Sequence, residues 1–83
     1  MHKFFGKQLR KERIKRDLTV LELAKACGIS HSYVTLIENG QRLPGKRIIP
    51  KIAAALNLEI GTVLNWYLED ITQKIYKDLK LKS

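Results

Sequence analysis

The sequence predicts an all-α fold in which five helices pack into one compact domain. Apolar residues recur at intervals of three and four along nearly the whole chain, and the alternating pattern of a half-buried strand is absent. Residues that cap or stop helices divide this pattern into segments, and only a few residues join one segment to the next. Connections this short force neighbouring helices to pack at steep angles.

The first predicted helix spans roughly residues 3–16 and has a strongly basic outer face. The second begins after Thr19, which is a good N-cap, and Glu22 three residues later completes a capping box. Gly28 ends this helix, because glycine accepts the left-handed conformation that closes many helices.

Three further helices follow in the prediction. Ser30 is a second N-cap and precedes a helix over about residues 31–39. A polar loop over residues 41–45 leads to a fourth helix that ends near Leu56. The last helix begins near Ile60 and continues towards the C-terminus.

The positive charge of the chain is concentrated in its first three-fifths. The formal net charge is +8, and residues 1–51 contain twelve Lys or Arg against four acidic residues, whereas residues 52–83 contain four of each. A concentrated positive field attracts polyanions such as nucleic acid, since neutralising phosphates releases condensed counterions. A solvated lysine-rich surface would explain the charge equally well, so charge alone does not decide.

Several protein classes are disfavoured by features that the chain lacks. Cys27 is the single cysteine, so no intramolecular disulfide can form and a cytoplasmic protein is expected. No apolar run approaches the roughly 18 residues of a membrane span, and no signal-peptide pattern is present. The scattered acids and the two histidines, His2 and His31, form no catalytic or metal-binding constellation. We therefore expect no enzyme activity, no metal and no cofactor.

The most informative stretch runs over residues 19–40. Two short helices joined by residues 27–29 match a helix-turn-helix, in which the second helix enters the DNA major groove. The arrangement requires a small residue where the helices touch, a positive φ in the turn, and apolar residues that fix the angle between the helices. The residues that meet these requirements are Ala24, Gly28, Val34 and Ile37.

With these residues, the sequence resembles the Cro and phage-repressor family of transcriptional regulators, also called the xenobiotic-response-element (XRE) type. The resemblance covers residues 5–64. The matching residues are Phe5-Gly6, Leu9-Arg10, Arg13, Leu18-Thr19, Glu22-Leu23-Ala24, Gly28-Ile29-Ser30, Val34, Ile37-Glu38-Asn39-Gly40, Pro44, Lys51-Ile52-Ala53 and Ala55-Leu56. The resemblance implies a five-helix domain like that of lambda repressor, here with an extended C-terminal helix, that binds operator DNA, more often as a repressor.

The resemblance also implies that the helix over residues 31–39 reads DNA bases. The residues expected to do so are His31, Ser32, Tyr33, Thr35 and Leu36. Hydroxyls and imidazole can each donate or accept, so no base sequence follows from them. Two interpretations stay open for Tyr33, contact with DNA or packing on the following loop. Leu36 likewise either contacts a thymine methyl or packs half-buried.

Phosphate contacts are expected mainly from the segment after that helix, and such contacts set register without reading sequence. The expected residues are Arg10, Ser30, Asn39, Gly40, Gln41, Arg42, Lys46 and Arg47, with Asn39 and Gly40 offering backbone amides. Arg13 and Glu38 match a family pair that ties the first helix to the end of the recognition helix. The alternative is that these are two unrelated surface charges.

Four residues depart from the family pattern. Val20 replaces a glutamine that usually contacts phosphate and braces the recognition helix, so we expect that contact to be missing. Glu12 stands where an apolar residue is common, and Leu21 where a polar one is. Pro50 lacks an N–H and would clash with the carbonyl four residues back, so we expect the fourth helix to start late or bend.

A single recognition helix reads only a few base pairs, and the family binds two half-sites with a symmetric dimer. We expect the dimer contact to come from the last helix, through Leu64, Tyr67, Leu68, Ile71, Ile75 and Leu79. The alternative is that this helix packs on the first helix of its own chain and covers Phe4 and Phe5.

This prediction divides the chain into a DNA-binding domain over residues 1–68 and a helical extension over residues 69–83, whose composition also suits a protein partner or a membrane surface. The expected partners are double-stranded DNA, a second copy of the chain and an additional protein, but not a membrane. The rival interpretation is an antitoxin or anti-repressor whose main partner is another protein. A cytoplasmic, nucleoid-associated location is expected.

Overall fold

A computed structural model describes residues 3–80, which form five α-helices. They span Lys3–Lys15 (α1), Val20–Cys27 (α2), His31–Glu38 (α3), Ile48–Ala55 (α4) and Ile60–Asp78 (α5). No strand occurs within this part of the chain. The prediction of an all-α fold with five helices is therefore confirmed. None of the helices found between residues 3 and 80 has both the length and the apolar character needed to cross a membrane.

The caps of α2 and α3 set the position of both helices. The Thr19 hydroxyl accepts from the Glu22 N–H at 3.0 Å, and the Glu22 carboxylate accepts from the Thr19 N–H at 2.8 Å, which completes the predicted capping box. Gly28 ends α2 with φ 66°. The Ser30 hydroxyl then accepts from the Tyr33 N–H at 3.0 Å and starts α3.

The fourth helix accommodates its proline by starting only two residues before it. Pro50 is the third residue of α4, within the first turn, where N–H groups have no partner inside the helix. Its missing donor therefore breaks no hydrogen bond, and the prediction of a late start is confirmed.

All five helices contribute to one hydrophobic core. α1 packs on α3 and α5, α2 packs on α3 and α4, and α4 packs on α5. The rings of Phe5 and Trp66 meet edge to face, with centroids 5.7 Å apart. The buried apolar residues are Phe5, Leu9, Leu23, Ala24, Cys27, Val34, Ile37, Ile49, Ile52, Ala53, Leu56, Val63 and Trp66.

α5 has one buried face and one exposed face. Val63 and Trp66 lie in the core, where Trp66 covers Phe5, whereas Phe4 stays partly exposed. The alternative that α5 packs on α1 therefore holds for one face of the helix. The opposite face leaves large apolar side chains in solvent, with Tyr67 and Ile71 half-buried beside them. These exposed side chains are Ile60, Leu64, Leu68, Ile75, Tyr76 and Leu79.

A buried carboxylate of α5 caps the start of α1. Asp70 is only 4% exposed, and its two oxygens accept from the N–H of Phe4 at 3.2 Å and of Phe5 at 2.7 Å. These amides belong to the first turn of α1, which has no internal partners for them. The contact joins residues 65 and 66 positions apart in the chain, and sequence reasoning missed it.

Candidate nucleic-acid interface

The inner side of α3 is held by buried contacts with α2. Ala24, Val34 and Ile37 are each at most 1% exposed, and the Ile29 N–H donates to the Ala24 carbonyl at 3.0 Å in the turn between the helices. With the left-handed Gly28, these residues meet all the requirements of the helix-turn-helix given above. The angle between α2 and α3 is therefore determined by close packing rather than by a flexible link.

The C-terminal end of α3 is joined to α1 by an ion pair. Arg13 donates from Nε to Glu38 Oε2 at 2.7 Å and from Nη2 to Glu38 Oε1 at 3.1 Å, and its Nη1 donates to the Leu18 carbonyl at 2.7 Å. Both side chains are largely buried, with 12% and 6% of their surfaces exposed. The hydrogen bond to Glu38 raises the pKa of Arg13 above its ordinary value. Two parallel bonds fix orientation as well as distance.

The backbones of α1 and α3 also come close together at Gly6. A Cβ atom at this position would overlap the carbonyl oxygen of Ile37 and lie 2.6 Å from that of Glu38. Gly6 was part of the predicted resemblance, but this close approach was not anticipated. The end of α3 is thus held by α1 through both a side-chain pair and direct backbone contact.

The outer side of α3 forms a shallow, mainly apolar groove of about 410 Å³, which we call the α3 groove. It is lined by His31, Ser32, Thr35, Leu36, Asn39 and Gln41. Four of the five predicted base-reading residues therefore share one surface. The Thr35 hydroxyl donates to the His31 carbonyl at 3.2 Å, so its only hydrogen is already used inside the helix.

The fifth, Tyr33, does not line this groove and braces the following loop instead. Its hydroxyl oxygen accepts from the Gly45 N–H at 3.0 Å, and the Arg42 guanidinium lies 5.2 Å from the centroid of its ring. Of the two interpretations left open for Tyr33, the described structure contains the second: the side chain packs on the loop that follows α3. This contact ties residues 41–45 to α3.

The backbone amides expected to meet phosphate are already engaged. The N–H of Asn39 donates to Thr35, that of Gly40 to Ile37 and that of Gln41 to Leu36, each at 3.0 Å. Gly40 is also buried, with φ 78°. The prediction that Asn39 and Gly40 offer free backbone amides was wrong, because the last carbonyls of α3 take those amides.

The side chains predicted to meet phosphate lie at the surface. Ser30 is exposed, although its hydroxyl oxygen also caps α3. The other exposed residues of this set are Arg10, Asn39, Gln41, Arg42, Lys46 and Arg47.

The residues that depart from the family pattern are accommodated without disturbing the helix pair. Val20 packs half-buried against the core, and Leu21 is exposed. Glu12 accepts from Arg16 at 2.6 Å, and this hydrogen bond lowers the pKa of the Glu12 carboxyl. Burial raises the pKa of the Cys27 thiol, as expected for an unreactive core cysteine.

A helix-turn-helix family model matches residues 9–63, two-thirds of the chain. The transcriptional repressor RghR of Bacillus subtilis (strain 168) is 46% identical over 55 residues, which are 65% of this chain and 41% of RghR. The chain thus spans less than half the length of that curated relative.

Two solved structures share the fold. The restriction-modification controller protein C.AhdI from Aeromonas hydrophila superposes with a TM-score of 0.71 at 35% identity, over 75% of this chain and 94% of that one. SinR, a master regulator for biofilm formation solved in complex with DNA, superposes with a TM-score of 0.67 at 26% identity, over 72% of this chain and 97% of the solved SinR chain.

Proposed function

Because the chain belongs to the XRE-type helix-turn-helix family, whose members are DNA-binding transcriptional regulators and not enzymes, we propose that it is a repressor that binds a palindromic operator as a homodimer. The observation that carries this proposal is that α3 is held firmly by the rest of the domain while its outer side forms an open groove. The inner side of α3 is fixed by the buried residues Ala24, Val34 and Ile37, and the C-terminal end of α3 is held by the Arg13–Glu38 pair. A helix held in this way can enter the major groove without losing its orientation.

In this proposal the α3 groove faces the base edges. His31 and Ser32 occupy the first turn of α3 and can donate or accept, whereas the Thr35 hydroxyl donates to the His31 carbonyl and leaves its acceptor and its methyl group for DNA. Leu36 can make only apolar contact. Tyr33 acts indirectly, because it orients the loop after α3.

The surrounding exposed side chains would contact the phosphates on either side. Arg42, Lys46 and Arg47 lie in the segment that joins α3 to α4, and Arg10 lies on α1. Ser30, Asn39 and Gln41 would add uncharged contacts through their side chains. The similarity to SinR, whose structure contains DNA, supports double-stranded DNA as the partner.

We assign the dimer contact to the exposed face of α5. Leu64, Leu68, Ile75 and Leu79 are exposed there, beside the half-buried Tyr67 and Ile71. A second copy that buries this face would remove apolar surface from water at about 25 cal/mol per Å². In this scheme the DNA-binding part spans residues 1–68 and the extension that adds to the dimer contact spans residues 69–83; residues 1–2 and 81–83 of these ranges lie outside the described residues. α5 is one continuous helix across residue 68.

Repression is the mode of regulation that we propose. RghR carries the name of a transcriptional repressor, and 65% of this chain matches it. A bound dimer would block a promoter that overlaps its operator. The site of action would be the nucleoid, in the cytoplasm.

The first experiment is selection of binding sites from random duplex DNA, followed by footprinting. The expected product is a palindrome whose half-site centres are about 34 Å apart, which is one helical turn, or a multiple of that distance. Indifference to every duplex at low ionic strength would rule the proposal out.

The dimer contact is tested separately by sedimentation velocity. Leu68→Asp puts a charge into the proposed contact, and Ile14→Asp is the matched control on α1, since the two side chains are 49% and 53% exposed. The chain mass is 9.6 kDa. We expect the unaltered chain and Ile14→Asp to sediment as dimers of twice that mass, and Leu68→Asp to sediment as a monomer. A Leu68→Asp protein that stays dimeric would contradict the assignment.

A second candidate function uses the same face of α5 differently. In an antitoxin or anti-repressor, that face would bind a different protein. The observation that favours it is the number of large apolar residues exposed on one helix. A chain that sediments as a monomer, selects no duplex and binds a partner protein through Leu68 would fit this alternative.

A further inference from the structure

Leu36 is an apolar side chain on the outer side of α3. It is 37% exposed, whereas its neighbours Val34 and Ile37 on the inner side are at most 1% exposed. Among the described residues, the half-buried apolar side chains that pack against the core include Tyr33 and Leu43 but not Leu36. The leucine thus keeps more than a third of its surface exposed on the outer side of α3.

Leu36 forms part of the wall of the α3 groove, and its own side chain offers neither a hydrogen-bond donor nor an acceptor. The groove is mainly apolar, and the neighbouring Thr35 spends its hydroxyl hydrogen on the His31 carbonyl. A purine or cytosine edge pressed against the Leu36 side chain itself would leave polar atoms without partners, which costs binding free energy.

We propose that Leu36 is a specificity-determining residue that selects thymine in each half-site by contact with the C5 methyl group. Thymine is the only one of the four DNA bases that carries a methyl group in the major groove. An apolar side chain can recognise that group but can satisfy no donor or acceptor on the other bases. The inference rests on the proposed function, because it requires α3 to lie in the major groove.

The test uses the full chain and the duplex obtained by selection. Each thymine of the duplex is replaced in turn by deoxyuridine, which keeps base pairing and removes only the methyl group. At one position per half-site we expect the affinity to fall about fourfold, as for one methyl group that is no longer buried. Substitution in both half-sites should lower the affinity of a dimer about 15-fold.

Two variants connect that methyl group to one side chain. Leu36→Ala should bind the thymine and deoxyuridine duplexes equally well, because the contacting side chain is gone. Leu21→Ala removes another exposed leucine, which does not line the α3 groove, and should keep the full preference for thymine. Circular dichroism of both variants should match that of the unaltered chain, since both leucines are exposed.

The results separate this inference from the proposed function. Selection of a duplex whose thymines can all be replaced without loss of affinity would overturn the inference alone. The same holds if Leu36→Ala keeps the preference for thymine. Failure to select any duplex would overturn the inference and the proposed function together.

Discussion

At the scale of single residues, the recognition helix is held where side chains are smallest. Gly6 lets the backbone of α1 touch the last carbonyls of α3, and Ala24 lets α2 approach α3 from the other side. Gly28 supplies the left-handed turn between them. Space at these three positions matters as much as the apolar side chains, because a close-packed interior tolerates little added volume.

We expect Gly6→Ala to destabilise the fold by about 1–3 kcal/mol, as overpacking does. The added Cβ would meet backbone oxygens of Ile37 and Glu38, which cannot rotate away. This effect opposes the gain of up to about 1 kcal/mol that alanine usually brings inside a helix. The measurement is the free energy of unfolding in urea.

Gly61→Ala is the matched control for that change. Gly61 lies in the first turn of α5, and a Cβ there would meet no atom within 4 Å. This variant should be as stable as the unaltered chain or slightly more stable. Equal stability of Gly6→Ala and Gly61→Ala would show that the close approach of α1 to α3 is not restrictive.

At the scale of elements, α5 connects the two parts of the proposed mechanism. One face packs on α1, which in turn contacts the end of α3, and the other face offers exposed apolar side chains for a partner. Asp70 fastens α5 to the first amides of α1. The orientation of α3 therefore depends on contacts that reach the last helix.

We expect Asp70→Ala to lower the free energy of unfolding by about 1–3 kcal/mol, because two amides at the start of α1 lose their buried partner. Amide hydrogen exchange at Phe4 and Phe5 should become faster at the same time. Asp78→Ala is the control, since Asp78 is also an aspartate of α5 but is exposed. Its Oδ2 lies 3.7 Å from Nζ of Lys74, which is exposed as well. This variant should change stability by no more than about 0.5 kcal/mol.

The elements themselves were predictable from sequence because their signals are local. Thr19, Glu22, Gly28 and Ser30 act within one turn of where they stand, and the predicted boundaries of α2 and α3 follow them. The contact of Asp70 with α1 was not predictable, because nothing near residue 70 specifies a partner 65 positions away.

The candidate site was predictable only in part, for a similar reason. The resemblance to the family put His31, Ser32, Thr35 and Leu36 at base-reading positions, and all four line a common groove on the outer side of α3. It did not reveal the bond from Gly45 to Tyr33, which depends on the path of a loop. It also did not reveal that the chain's own carbonyls take the amides of Asn39 and Gly40.

At the scale of the whole molecule, charge and apolar surface are separated along the chain. The net charge of +8 comes entirely from residues 1–51, and the large apolar face belongs to α5. This separation suits a protein that meets phosphate with one part and another protein surface with a different part. It also predicts how the affinity for DNA depends on salt concentration.

We expect Arg42→Ala to weaken binding to all duplexes by similar factors and to reduce the dependence of affinity on salt. A lost phosphate contact lowers the slope of log K against log salt concentration by about one for each protomer. Lys74→Ala also removes one positive charge, but Lys74 lies near the end of α5, outside the proposed DNA interface. This variant should leave the slope unchanged. If both variants shift the slope equally, affinity depends on net charge alone and not on an interface centred on α3.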